Sequence, residues 1–297
     1  MTLTATRSPT ATSQSRPARP RRSLFWSITL VVTAALILWA AAGLDARWAR
    51  LVEAPADMWR LAELMFGNMT WSDLGSLVRA LWDSIAIAWL GTVLAAAVAV
   101  PLAFVGARNL GGSVMSLLIR QVFNLLRAVP EVILVIAFIP IFGISLRAGV
   151  LAIAIGSIGT VGKLCAEILE GIDEGPLEAA DAAGANGLQR MRWGVLPQAL
   201  PELTSLVLYR FEINIRVSAV LGAVGAGGIG SDLVQALRFK EFGQAGLALI
   251  IVVLGTIAVD MISGWVRRRI IAGPRGERRR GEIEPDALAA DALAKAL

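Results

Sequence analysis

Histidine is absent from the 297-residue chain, and cysteine occurs once, as Cys165. Histidine is the commonest general base and the commonest metal ligand, so its absence leaves few ways to build a zinc or transition-metal site. A single cysteine excludes an internal disulfide. Charged residues are also scarce, at 17% of the chain. These absences disfavour an enzyme, and we expect neither a metal nor a cofactor in this chain.

Long apolar runs dominate what the sequence does contain. Hydrophobic residues make up 56% of the chain, and the mean hydropathy is +0.66. Several windows of about 20 residues carry almost no charge, as a helix that crosses a bilayer requires. We therefore predict an all-α integral membrane protein with about six transmembrane helices, at roughly 24–42, 82–105, 117–142, 147–172, 203–225 and 243–266.

Arginines that flank the first and last spans predict the orientation. Arg21 and Arg22 precede the first span, and Arg267 to Arg269 follow the last. Because Lys and Arg concentrate on the cytoplasmic side, both termini are expected in the cytoplasm. The predicted organisation is a disordered basic tail, a first span with an outer amphipathic loop, a membrane core with a cytoplasmic loop at 173–202, and a charged tail; these segments are 1–23, 24–81, 82–270 and 271–297.

The cytoplasmic loop interrupts the apolar runs with small residues. Its central stretch, residues 178–201, reads EAADAAGANGLQRMRWGVLPQALP. Gly184 permits a turn between two short helices, and Pro197 is expected to end the second. A row of alanines gives the first helix little to bury but lets another surface approach its backbone closely. This composition predicts a docking element.

The same stretch resembles the signature loop of the inner-membrane permeases of bacterial ABC importers. That signature is Glu-Ala-Ala, three residues, Gly, nine residues, an apolar residue, any residue and Leu-Pro. The matching positions here are Glu178, Ala179, Ala180, Gly184, Leu196 and Pro197. Gly194 stands where isoleucine is usual, and we expect Val195 to supply the apolar contact. The resemblance implies a type I, methionine-importer-like permease core and a coupling helix that docks into an ATPase subunit.

Three further segments resemble the phosphonate-importer branch of these permeases: RQVFNLLRAVPE (120–131), GKLCAEILEGIDEGPLEAADAAGA (162–185) and LYRFEINIRVSAVLGAVGAGGIG (208–230). The resemblance covers roughly residues 80 to 270. It implies ATP-driven import of phosphonates across a bacterial inner membrane, with phosphite and phosphate as alternative solutes. The implied partners are a second copy of the chain, cytoplasmic ABC ATPase subunits, an external solute-binding protein and membrane lipid, with no nucleic acid.

Two glycine-rich runs superficially resemble nucleotide-binding motifs. GAVGAGGIG at 222–230 contains G-x-G-x-x-G, but no strand precedes it. GSIGTVGKL at 156–164 has the wrong glycine spacing for a phosphate loop. ATP is therefore expected on the partner ATPase alone. The 222–230 run is expected to provide close helix packing or a bend.

Charged residues inside the predicted spans form the second candidate site. Four polar residues lie about 10 to 20 Å along the fifth span: Arg210, Glu212, Asn214 and Arg216. An unpaired charge at that depth costs at least a few kcal/mol, so these residues are not expected to face lipid.

Two interpretations of these charges remain open. Glu212 and Arg216 are four residues apart on one helical face and could form an ion pair. Alternatively, Arg210 or Arg216 lines a path for anions, because arginine forks match phosphonate oxygens. Arg127 and Glu131, four apart on the third span, invite the same two interpretations. An ion-driven secondary transporter with Glu131 and Glu212 as proton carriers is a less favoured function.

Overall fold

A computed structural model describes residues 24–43, 50–110 and 112–271. Every regular element in these ranges is helical, which confirms the all-α prediction. The predicted tails at 1–23 and 271–297 lie outside the described residues, except for Ile271. Internal contacts divide the chain into two units, Met1–Met58 and Trp59–Leu297.

In the first unit, helix α1 (Leu24–Gly43) is almost entirely apolar. Large side chains such as Trp26, Leu30 and Trp39 are exposed along its length, as in a helix that contacts lipid. Helix α2 (Arg50–Gly67) crosses the boundary between the units. It mixes acidic and basic residues with exposed tryptophan and methionine, the composition of a helix that lies on a membrane surface.

The second unit is built around helices α3 (Leu74–Gly106), α6 (Leu146–Glu170) and α9 (Leu196–Leu221). Small residues let α3 and α6 approach closely, as is usual between membrane helices. At Gly91 of α3, for example, a β-carbon would lie 2.7 Å from the side chain of Ile153 in α6. Helix α11 (Phe242–Ile271) packs beside α3 and α9.

The predicted span at 117–142 is wrong as a single helix. It forms two helices, α4 (Ser113–Ala128) and α5 (Glu131–Phe142), bent by 80° at a short break. Pro130 causes the break, because it lacks an N–H and its ring disfavours helical geometry in the preceding residue. Val129 accordingly adopts an extended conformation, with φ −94° and ψ 116°.

Glycines of α6 make room for this break. A β-carbon at Gly159 would lie 2.6 Å from the backbone oxygen of Phe123, and one at Gly156 would lie 2.5 Å from Cγ of Glu131. Gly162 similarly lies against the ring of Phe123. The 156–164 run, which is not a phosphate loop, is therefore a packing surface for α4 and α5.

A second bend follows α9, as predicted for the glycine run at 222–230. The chain passes through a π-helical turn at Gly222–Ala226 and then into α10 (Ile229–Arg238), bent by 55°. Gly225, Gly227 and Gly228 have φ values of 114°, 76° and 73°, which residues with a β-carbon rarely adopt. By length and composition, four described helices could cross a membrane, or up to six if each bent pair is one span.

Candidate functional site

The loop at 173–202, in which a docking element was predicted, contains two short helices, α7 (Gly175–Ala182) and α8 (Gly187–Arg190). Gly184 ends α7 in a left-handed conformation, with φ +73°. Its N–H donates to Asp181 O at 3.0 Å, and the N–H of Ala185 donates to Ala180 O at 3.0 Å. These two bonds form a Schellman motif, which satisfies carbonyls at the helix end.

Helix α8 begins with a reciprocal cap. The Asn186 side chain accepts a hydrogen bond from the Gln189 N–H at 3.0 Å, and Gln189 Oε1 accepts one from the Asn186 N–H at 2.9 Å. The predicted stop at Pro197 is wrong, because the chain continues through a π-helical turn at Met191–Val195 into α9. Pro197 lies in the first turn of α9, just after the π-helical turn.

Apolar contacts anchor the loop to the membrane core. Leu177 and Val195 are buried in one cluster with Leu169, Ala199 and Leu203 of the neighbouring helices. The apolar contact expected of Val195 is therefore present. A β-carbon at Gly194 would lie 3.4 Å from Leu177 Cγ, in ordinary van der Waals contact with the same apolar side chain.

The opposite face of the loop is exposed. Glu178, Ala179 and Gly184 are exposed, and Leu188 and Trp193 have 84% and 69% of their surface accessible. An ion pair of 3.5 Å joins Asp181 of α7 to Arg190, the last residue of α8. Ala180 and Leu196 are half-buried, and Pro197 is exposed. A braced, partly apolar exposed face is typical of a protein-binding surface.

A buried polar cluster joins four helices. Arg210 of α9 donates to Glu131 Oε1 of α5 at 2.8 Å and to Ser157 Oγ of α6 at 3.1 Å. Asn214, fully buried, donates to Thr92 Oγ1 of α3 at 2.8 Å and to Ser157 Oγ at 3.1 Å. Because these groups satisfy one another, the cluster fixes α3, α5, α6 and α9 in one arrangement.

Of the two interpretations left open for these charges, ion pairs within single helices do not form. Glu212 pairs with Arg267, and Arg216 pairs with Asp260 at 2.8 Å, so both bonds join α9 to α11. Arg127 and Glu131 do not form their predicted pair, since the 80° bend lies between them and destroys the i, i+4 geometry.

Sequence reasoning missed the partners on other helices: Thr92, Ser157, Asp260 and Arg267. Asp260 could have been identified from the sequence, because an acidic residue inside an apolar span needs a partner. Thr92 and Ser157 carried none, since single hydroxyl residues are common in membrane helices.

Comparison with known proteins agrees with this architecture. The family described as "Binding-protein-dependent transport system inner membrane component" matches residues 99–272. The chain belongs to this family. It is therefore a membrane subunit of a transport system, as the signature loop predicted.

The names of three relatives specify transport systems for phosphorus oxyanions. The chain is 40% identical over 194 residues to the phosphite transport system permease protein PtxC of Stutzerimonas stutzeri, covering 65% of this chain and 70% of that one. It is 37% identical over 196 residues to the phosphate-import permease protein PhnE of Mycolicibacterium smegmatis, covering 66% of this chain and 37% of that one. A putative cryptic phosphonate transport system permease of Escherichia coli K12 is 41% identical over 121 residues, covering 41% of this chain and 99% of that one.

Solved structures show the same fold. An inward-facing form of the MetNI methionine ABC transporter aligns with a TM-score of 0.62 at 23% identity, covering 68% of this chain and 99% of that chain. An amino acid ABC transporter aligns with a TM-score of 0.54 at 18% identity, over the same 68% and 99%. The predicted type I, methionine-importer-like core is confirmed.

Proposed function

We propose that this chain is the permease of an ATP-driven importer of phosphorus oxyanions, with phosphonates as the first expected solute. The observation that carries the proposal is the set of relatives above, whose names specify phosphite, phosphate and phosphonate. All three solutes share a tetrahedral phosphorus centre with negatively charged oxygens. Phosphite and phosphate remain the alternative solutes of the same transporter.

Coupling to ATP is assigned to the exposed face of the 178–197 loop. In this proposal a cytoplasmic ABC ATPase subunit, which binds the ATP, contacts the loop. The contact residues are Glu178, Ala179, Ala180, Gly184, Leu196 and Pro197. Support comes from the caps and the Arg190–Asp181 ion pair, which give the loop a fixed shape while one face stays exposed.

The assembly follows from this role. Two copies of the chain surround the solute path, two ATPase subunits contact the two loops, and an external binding protein delivers solute to the outer face. Both termini lie in the cytoplasm. ATP-driven closure of the ATPases draws the loops together and switches the path from inward-open to outward-open.

Helix continuity supports a mechanical connection from the loop to the membrane interior. Residues Gly187–Ala226 form one continuous helical segment, which includes Leu196 and Pro197 of the docking residues as well as Arg210. A displacement of the loop therefore moves the polar cluster of Glu131, Ser157, Arg210 and Asn214. In this proposal ion pairs fix the relative positions of the helices, and they involve Glu131, Arg210, Glu212 and Arg216. Asn214 adds hydrogen bonds to Thr92 and Ser157.

Uptake of labelled 2-aminoethylphosphonate tests the solute. The cells lack their native permease and carry this chain with its ATPase and binding protein, and unlabelled phosphite and phosphate compete. Uptake blocked mainly by phosphonates supports the first solute. Stronger competition by phosphite or phosphate would assign the alternative, and uptake of none of the three would overturn the proposal.

A further inference from the structure

Helix α4 carries an exposed polar stripe that the proposed function has not used. Gln121, Asn124 and Arg127 follow one another at three-residue spacing, and all three side chains are exposed. Residues three apart are neighbours on a helix surface. Other exposed residues of the same helix are apolar, among them Leu118, Val122 and Leu125, with 56%, 50% and 70% of their surface accessible. Helix α4 therefore exposes both a polar and an apolar surface.

The stripe extends to the middle of the membrane core. A β-carbon at Gly159 would lie 2.8 Å from Arg127 Cγ and 2.9 Å from the Arg127 backbone nitrogen. Gly159 is about 20 Å along α6, whose 25 residues extend about 37 Å. Arg127 is therefore at about half the depth of this span.

Among the described residues, Arg127 has no carboxylate partner at that depth. The nearest acidic residue along the chain, Glu131, is engaged by Arg210 at 2.8 Å. Among the residues described, no ion pair or side-chain hydrogen bond involves Arg127, whereas the arginines of α9 are both paired. An arginine at the bilayer centre is too costly to face lipid unpaired.

The break beside Arg127 points to the same conclusion. Non-helical backbone at membrane depth occurs where protein buries it or where it lines a water-filled cavity, and transporters place solute sites at such discontinuous helices. Here the break at Val129 and Pro130 follows the exposed Arg127 after one further helical residue, Ala128. Near the start of α4, Ser116 Oγ donates to Gly106 O at 2.7 Å, and at its middle Arg120 binds Glu170 of α6, and these two contacts fix the helix rotation.

We infer that the stripe of Gln121, Asn124 and Arg127 lines the solute path and that Arg127 binds the oxyanion there. The inference rests on the proposed function. A guanidinium group offers paired N–H donors that match two oxygens of a phosphonate. Two copies of the chain place two such cations along the path, and their two positive charges balance the two negative charges of a dianion.

Cysteine labelling tests whether the stripe faces water. The only native cysteine, Cys165, is buried, and a Cys165→Ala background removes it. In the complete importer in membrane vesicles, Asn124→Cys should react with a charged, water-soluble methanethiosulfonate, and solute should slow that reaction. Val122→Cys, on the apolar surface of the same helix, is the matched control and should stay unreacted. An unreactive Asn124→Cys, or equal labelling of both positions, would overturn the inference.

Uptake kinetics test the role of Arg127. Arg127→Gln should raise the KM for the transported oxyanion about tenfold or more, and Arg127→Lys should raise it less, because lysine keeps the charge but loses the fork. Arg147→Gln removes an exposed arginine at the start of α6 and should leave the KM unchanged.

The two proposals fail separately in these assays. If the wild-type importer takes up no phosphorus oxyanion, the proposed function is wrong. Labelling of Asn124→Cys still tests whether the stripe faces water. If the wild type transports and Arg127→Gln keeps the wild-type KM, the assignment of Arg127 is wrong.

Discussion

The caps of the 173–202 loop and the polar cluster around Arg210 differ in the sequence separation of the residues that they join. The loop's caps join residues three to five apart, as between Asn186 and Gln189 or Ala185 and Ala180. The cluster joins residues 53, 79 and 122 apart, in the bonds of Arg210 to Ser157 and Glu131 and of Asn214 to Thr92. The loop can therefore keep its shape with one face exposed, whereas the cluster exists only when four helices have assembled.

Because of this difference, mutations in the loop and mutations in the cluster should have different effects. A change among the caps or exposed residues of the loop should alter partner binding with little effect on the membrane core, because those contacts are local. A change in the cluster should destabilise the whole core, because it leaves a polar group unpaired among several helices. The following substitutions test that separation, from the largest expected effect to the smallest.

The largest loss of stability is expected from Arg210→Ala. It leaves the Glu131 carboxylate without its ion-pair partner beside α6. The pair is partly buried, with 12% and 27% of the two side chains accessible, and removing one partner of a fully buried pair typically costs about 3 kcal/mol or more. The thermal unfolding midpoint of the purified, detergent-solubilised protein should fall markedly.

A double variant serves as the control for that experiment. Glu131→Gln combined with Arg210→Gln removes both charges and should recover part of the lost stability. If Arg210→Ala unfolds at the wild-type temperature, the cluster does not stabilise the core.

Gly159→Ala should have the next largest effect. Its β-carbon would lie 2.6 Å from the backbone oxygen of Phe123, so α4 must move away from α6. Overpacking of this kind costs about 1 to 3 kcal/mol. Gly75→Ala in α3 is the matched control, since nothing lies within 4 Å of that position. Equal unfolding temperatures for the two variants would contradict the close packing of α4 on α6.

Gly184→Trp tests the loop. Its φ of +73° costs a residue with a β-carbon roughly 1 to 2 kcal/mol, but no atom lies within 4 Å of the added β-carbon. The strain is therefore confined to the loop, and membrane insertion should be retained while the ATPase no longer copurifies. Gly187→Ala, also with open space around it, should still copurify. Normal transport by the Gly184→Trp variant would contradict the assignment of this loop as the contact site of the ATPase.

Asn186→Ala should have the smallest effect on stability. It removes the side chain that accepts from the Gln189 N–H at 3.0 Å, a loss worth about 1 kcal/mol. Hydrogen exchange should accelerate at residues 187–190 alone. Faster exchange across α9 as well would show that the loop and the core are less independent than the contacts indicate.

Local signals in the sequence predicted much of the loop. The glycine at 184 and the small residues around it predicted a helix, a turn and a second helix, and the structure has all three. The error concerned Pro197, because a proline that ends one helix and a proline that begins the next look the same in sequence. Only the π-helical connection through Met191–Val195 distinguishes the two cases.

The ion pairs could not be predicted in the same way. Glu212 and Arg216 satisfy the i, i+4 rule, yet each binds a residue of α11, because that helix packs antiparallel to α9 and places Arg267 and Asp260 beside them. The sequence indicated that these charges need partners but did not indicate which helix would supply them. The prediction of a single helix at 117–142 was wrong for a local reason. Hydropathy is averaged over a window of residues, so it does not detect the bend at a proline.

ATP dependence of transport tests the central claim most directly. Proteoliposomes containing this chain and its ATPase should accumulate labelled 2-aminoethylphosphonate only when ATP and the external binding protein are both present. The Gly184→Trp variant should abolish that accumulation. Accumulation driven by a proton gradient without the ATPase would contradict the account and support an ion-driven secondary transporter.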